Sequence, residues 1–116
     1  MVCHVVLFSP RRDLGDVERA ALVEALEEAL RRIPSIRRFR VGRRVTHGAR
    51  YEALMPVSFD YAAILEFDDL AGLQAYLRHP AHEALGERFM RALEHSAIFD
   101  YQMLDGEDPA GVAQLD

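Results

Sequence analysis

Residues 59–93 read FDYAAILEFDDLAGLQAYLRHPAHEALGERFMRAL, and the way this stretch divides decides the fold. Phe59, Tyr61, Ala63, Leu65 and Phe67 alternate with Asp60, Ala62, Ile64 and Glu66. A period of two with aromatic and aliphatic content predicts a strand. Asp68 and Asp69 then offer oxygens suited to a helix N-cap, and Leu70, Leu73 and Leu77 recur at helical spacing. Pro80 cannot continue that helix and pushes His79 out of the helical region, yet it suits the first turn of a new one. One helix therefore stops near Arg78 and another starts near Pro80.

At about 100° per residue, His82, Leu85, Phe89 and Leu93 fall within one stripe of the second helix, its core-facing side. His82 is thus expected to point inward from the first turn. The positive end of the helix dipole there disfavours a further positive charge, so the imidazole stays neutral near pH 7 and keeps a basic nitrogen. Tyr76, three residues after Leu73, sits at the edge of the preceding helix's apolar stripe. A phenol and a neutral imidazole converging on one pocket is the arrangement that proton abstraction beside a carbonyl requires.

Working outward, Val2 to Phe8 is a nearly continuous apolar run and reads as a central strand ended by Ser9-Pro10. His4 shares a face with Val6 and Phe8, either as a core histidine bonded to backbone or as part of the same pocket as His82. Asp16 is the expected N-cap of an amphipathic helix of about five turns carrying Leu22, Leu26, Ala29, Leu30 and Ile33 and ended by Pro34. Ile36 to Thr46 places Phe39, Val41 and Val45 against Arg38, Arg40, Gly42 and Arg44, a second strand whose charge fits an edge and whose Gly42 marks a bulge. His47 to Val57 shows no periodicity and is expected to be a long loop, either a mobile connection or a cover that folds Tyr51, Leu54 and Met55 over a site. Ala97 to Met103 alternates again and makes a fourth strand. The order strand, helix, strand, strand, helix pair, strand is the ferredoxin-like split βαβ pattern. Residues 1–104 form that domain, and residues 105–116, with four acids, two glycines and Pro109, are expected to be a flexible acidic tail.

With 116 residues, half of them apolar, the chain fills one domain and no more. No run approaches the roughly 18 apolar residues of a membrane span, and no basic segment precedes an apolar run at the N-terminus. A cytoplasmic protein is expected. The single cysteine, Cys3, lies in an apolar strand and reads as a buried structural thiol. Net charge is −5, but all 14 basic residues are Arg, and eight of them lie between Arg31 and Arg50, where no acid occurs. Such a block raises nucleic-acid binding. Without interleaved aromatics or a recognition motif, the reading preferred is a solvated strand face with cross-subunit pairing to the acidic half.

His4-Val5-Val6-Leu7-Phe8, Phe39-Arg40-Val41-Gly42-Arg43, Tyr76-Leu77-Arg78-His79-Pro80-Ala81-His82 and Phe99-Asp100-Tyr101, in this order and spacing, resemble the stress-responsive α/β-barrel family over about residues 1–103. The resemblance implies an α+β fold, a ferredoxin-like four-stranded antiparallel sheet with helices on one face, and a homodimer whose two sheets close into a barrel. It also implies a site. In a plant polyketide cyclase of the family, a Tyr and the second His of the Tyr-x-x-His-Pro-x-His motif act together in a cofactor-independent aldol condensation, and they match Tyr76 and His82. A first-strand His matches His4, while a helix Tyr and a third-strand His of that enzyme are replaced here by Leu26 and Tyr61. On this basis Tyr76 and His82 are the expected catalytic residues, and His4, His79, Tyr61, Leu26 and Phe89 the expected lining of a substrate pocket.

Three readings are open from the sequence. The first is a cofactor-independent cyclase, isomerase or lyase using the His/Tyr pair on a small apolar or polyketide-like molecule. The second is a non-catalytic binding or structural module, and the third a cofactor-independent monooxygenase or haem-degrading enzyme of the same superfamily. No cofactor is expected, and no metal either. His79 and His82 are three residues apart, but Pro80 puts them on opposite sides of a helix boundary.

Overall fold

The computed structural model describes residues 1–115; Asp116, the last residue of the expected tail, lies outside the described residues. Its strands are β1 (Val2–Pro10), β2 (Arg38–Arg43), β3 (Tyr61–Phe67) and β4 (Leu93–Gln102), and its main helices are α1 (Asp16–Arg32), α3 (Leu70–Arg78) and α4 (Pro80–Ala92), with short helical turns α2 (Arg50–Leu54) and α5 (Pro109–Val112). The sheet order is β2-β3-β1-β4, antiparallel throughout. This is the ferredoxin-like α+β fold, with the apolar β1 in the interior of the sheet and the Arg-bearing β2 at one edge.

Register assigns every strand residue to a face. Phe39, Leu65, His4 and Asp100 form one row across the sheet, Val41, Ala63, Val6 and Ile98 the next, and Arg43, Tyr61, Phe8 and Ser96 a third. These rows look toward the helices. The alternate rows, Arg40-Ile64-Val5-Phe99 and Gly42-Ala62-Leu7-Ala97, look the other way, away from α1, α3 and α4, and only the short α2 segment borders them. Phe99 and Tyr101 are each about half exposed there. The molecule is only 18 Å through its thinnest axis, one sheet and one helix layer.

The core lies between the layers. Phe67 is fully buried and Ile33, Leu65 and Leu73 nearly so; burying a side chain such as Phe67 stabilises the fold by about 1.5–3 kcal/mol. Ala25 and Ala29 are the buried residues of α1, and their small side chains let that helix approach α4 closely. Asp69 caps α3 by accepting from the Gly72 N–H at 2.9 Å. The chain then turns at His79, whose Nδ1 accepts from the Ala81 N–H at 3.0 Å, and Pro80 opens α4.

Several boundaries differ from the sequence reading. Gly15, not Asp16, is the N-cap of α1, and Asp16 contributes its charge to the first turn instead. β2 is six residues long, shorter than Ile36–Thr46, because β3 begins only at Tyr61 and leaves Val45 and Thr46 without a ladder partner. Gly42 pairs regularly with Ala62; the irregularity lies at Ser9/Pro10, where proline cannot donate to the ladder. β4 starts at Leu93, earlier than Ala97, since Pro10 and Ser9 pair with Leu93 and His95 even though Glu94-His95-Ser96 is polar. Residues 47–57 are not structureless: the Glu52 carboxylate accepts from the N–H groups of Ala49 (2.7 Å) and His47 (3.1 Å) and holds α2. The tail likewise contains one capped turn, with Asp108 accepting from Ala110 at 3.1 Å, while Val112 and Leu115 remain exposed.

Candidate functional site

A cavity of about 270 Å³ lies between the sheet and the helices. Its floor is the helix-facing rows of the sheet, and its roof is Leu22, Val23 and Leu26 of α1 with His82, Leu85, Gly86, Phe89 and Met90 of α4. The walls are almost wholly apolar. Three polar side chains, His4, Tyr76 and His82, enter from one end, where α3 meets α4.

Each of the three is placed by a local feature of the sequence. His4 points inward because its row alternates with Val5 on a central strand, and it is 5 % exposed. Its Nδ1 lies 2.6 Å from Oδ1 of Asp100, directly opposite on β4. A carboxylate only accepts, so Nδ1 carries a proton and donates it to Asp100, which fixes the orientation of the ring. Tyr76, in the last turn of α3, is 4 % exposed and wedged between rings, with centroids 5.3 Å from Phe67, 5.6 Å from His4 and 4.6 Å from His82. The proline-initiated turn of α4 swings His82 back over Tyr76 edge to face.

Electrostatics separates the roles of the pair. Burial raises the Tyr76 phenol from 10.0 to about 12, so it is a hydrogen-bond donor and not a base at neutral pH. Burial also lowers the His82 pKa, and nearby His4 adds to this, while the Leu77 backbone and Glu83 oppose it. The direction agrees with the expectation of a neutral imidazole. The leading cause is desolvation rather than the helix terminus. A neutral imidazole and a protonated phenol in contact are an acid/base pair with divided functions.

Of the seven residues expected at the site, five line this cavity: Tyr76, His82, His4, Leu26 and Phe89. Two do not. His79 is engaged in capping α4, and Tyr61 stacks on Phe8 with centroids 5.6 Å apart, beside the cavity and not in its lining. Residues 47–57 lie elsewhere as well, since Tyr51, Met55 and Val57 border a hollow with Leu7 and Phe99 on the uncovered sheet face and do not cover the His/Tyr pair. The sequence reading also missed Asp100 and Gly86. Asp100 becomes visible only when β4 is set in register against β1. Among the described residues no three His, Cys, Asp or Glu side chains converge as metal ligands.

Residues 2–103 match the family model described as the stress responsive A/B barrel domain, Dabb. The chain belongs to the Dabb family. No curated protein matches the sequence. Among solved structures, the Dabb chain is similar to the Arabidopsis thaliana protein At3g17210, with a TM-score of 0.73 at 19 % identity over 90 % of this chain and 97 % of that one. A hydroxynitrile lyase from Passiflora edulis has the same TM-score at 15 % identity, covering 90 % and 94 % of the two chains. A dimeric ferredoxin-like protein of unknown function from Bacteroides fragilis is 29 % identical with a TM-score of 0.60, covering 88 % and 95 %. These likenesses establish the fold. No helix of the described residues is long and apolar enough to cross a membrane.

Proposed function

We propose that this Dabb protein is a homodimeric, cofactor-independent catalyst that makes or breaks a carbon–carbon bond beside a carbonyl in a small, uncharged, largely apolar molecule. The observation that carries the reading is the contact of a protonated Tyr76 phenol with a neutral His82 imidazole at the polar end of an apolar cavity. His82 takes the proton from the carbon next to the carbonyl. Tyr76 donates a hydrogen bond to the carbonyl oxygen as negative charge develops on it, the enolate carbon then attacks a second carbonyl, and the alkoxide so formed takes the proton back from His82; the reverse sequence is cleavage. His4, oriented by Asp100, is a further polar side chain at the same end of the cavity, where a polar group of the substrate can be held. Arg and Lys are absent from the lining, which fits an uncharged substrate.

Two similarities support this class of chemistry. The Passiflora edulis neighbour is a hydroxynitrile lyase, and the motif from Tyr76 to His82 resembles that of olivetolic acid cyclase, which performs an aldol closure. The homodimer is supported by the uncovered sheet face with Phe99 and Tyr101 on it and by structural neighbours that are dimeric.

The test is exchange of the methyl protons of acetophenone in D₂O, followed by proton NMR, alongside release of benzaldehyde from mandelonitrile. Wild type accelerates at least one of the two, His82→Asn neither, and Tyr76→Phe less than wild type. Ketone binding with no acceleration over His82→Asn would instead establish a non-catalytic binding module.

A further inference from the structure

Gly86 sits in the interior of α4, where glycine is less favourable than alanine by backbone entropy. Ordinary reasons for a helical glycine are missing at this position. Among the described residues only Gly48 has positive φ, so Gly86 adopts a backbone open to any residue. A Cβ built on it meets nothing within 4 Å, so close packing does not require it. Gly72 of α3 is the contrast: its Cβ would lie 3.4 Å from Phe67, and its small size is explained by the neighbouring strand.

What Gly86 does border is the cavity. It is one helical turn beyond His82 and one before Met90, on a single stripe of α4, and all three line the same space. We infer that Gly86 is the specificity-determining residue of the site, keeping open beside His82 the volume that receives the ring or branched group attached to the substrate's reacting carbonyl. The inference rests on the reading that this cavity holds the substrate. It adds the substrate class: carbonyl compounds bulky next to the carbonyl, rather than only narrow linear chains. Leu26 of α1 and Phe89 further along α4 border the same cavity with bulky side chains, whereas Gly86, one turn from His82, adds none.

The test uses the full chain and two uncharged probes, acetophenone and the wider methyl naphthyl ketone, with affinities from titration calorimetry. Gly86→Leu places an isobutyl group into the space beside His82. It is expected to weaken methyl naphthyl ketone by roughly tenfold or more, as overpacking does, and acetophenone less. Gly86→Ala, whose Cβ meets nothing, is expected to fold with a melting temperature raised by about 4 °C and to show the same order at smaller size. If both variants bind both ketones as wild type does while Leu26→Trp abolishes binding, the assignment to Gly86 is overturned and the cavity reading stands. Wild type binding neither ketone overturns both.

Discussion

Tyr76→Phe removes one oxygen and leaves the ring among Phe67, His4 and His82, so it separates what the hydroxyl does from what the ring does. Burial alone moves the phenol from 10.0 to about 12. The sign of the linkage is therefore fixed: above pH 10 the unfolded chain loses this proton while the folded chain keeps it, and stability falls as pH rises toward 12. A shift of about two units corresponds to about 3 kcal/mol when complete, of which about 2 kcal/mol is lost by pH 11.5. Urea unfolding at pH 8 and pH 11.5 reads this directly. Wild type is expected to lose about 2 kcal/mol more than Tyr76→Phe between the two conditions. At pH 8 the variant should be as stable as wild type, because burial is the only influence on the phenol and no bonded partner is orphaned by its removal. Turnover should fall roughly 10²–10³-fold, the effect of losing one donor to a developing oxyanion. Parallel alkaline unfolding of wild type and variant would refute the placement of the phenol, and undiminished turnover would refute its role.

On the acid side, the lowered His82 pKa means the unfolded state binds a proton near pH 6.5 before the folded state does. Stability should decline as pH falls from 6.5 toward the depressed value, and His82→Asn should show less of that decline in thermal melts. Phe99→Arg, on the uncovered sheet face, should convert a dimer to a monomer by light scattering at micromolar concentration; a wild-type monomer would remove the homodimer from the reading. Ending the chain after Leu104 should change the melting temperature little, as Val112 and Leu115 are exposed, and loss of the dimer on truncation would reveal the tail as an arm.

The fold was legible wherever a period was unbroken. Phe59 to Phe67 and the Arg78–Pro80 joint carry their own signals, two-residue alternation in one and a proline in the other; the strand emerges two residues shorter, from Tyr61, and the joint as read. Boundaries were lost where a long-range partner decides: β4 reaches back to Leu93 only because Ser9 and Pro10 pair with it, and no local pattern in Glu94-His95-Ser96 announces that. The meeting of Tyr76 and His82 at one cavity was legible because helix phase and the proline turn are local. Asp100 was not, since its alignment with His4 joins residues at opposite ends of the chain. His79 shows the limit of a motif: capping and substrate contact demand the same residue at the same position, and only the bond to Ala81 separates them. Gly86 was passed over because an absent side chain leaves no signal until the space around it is known.

β4 carries two inventories on alternate residues. Ser96, Ile98 and Asp100 belong to the row set that floors the cavity, and Ala97, Phe99 and Tyr101 to the opposite face of the sheet. Point substitutions can therefore drift in either set while the other stays constant, so the cavity floor and the opposite face can change independently. A one-residue insertion or deletion before Ser96 has the opposite effect, exchanging the two sets at a stroke: Phe99 would be driven beneath His82 and Asp100 turned outward, away from His4. The strand is tolerant of spelling and intolerant of reading frame, and lineages with altered specificity should differ here by letters and never by length.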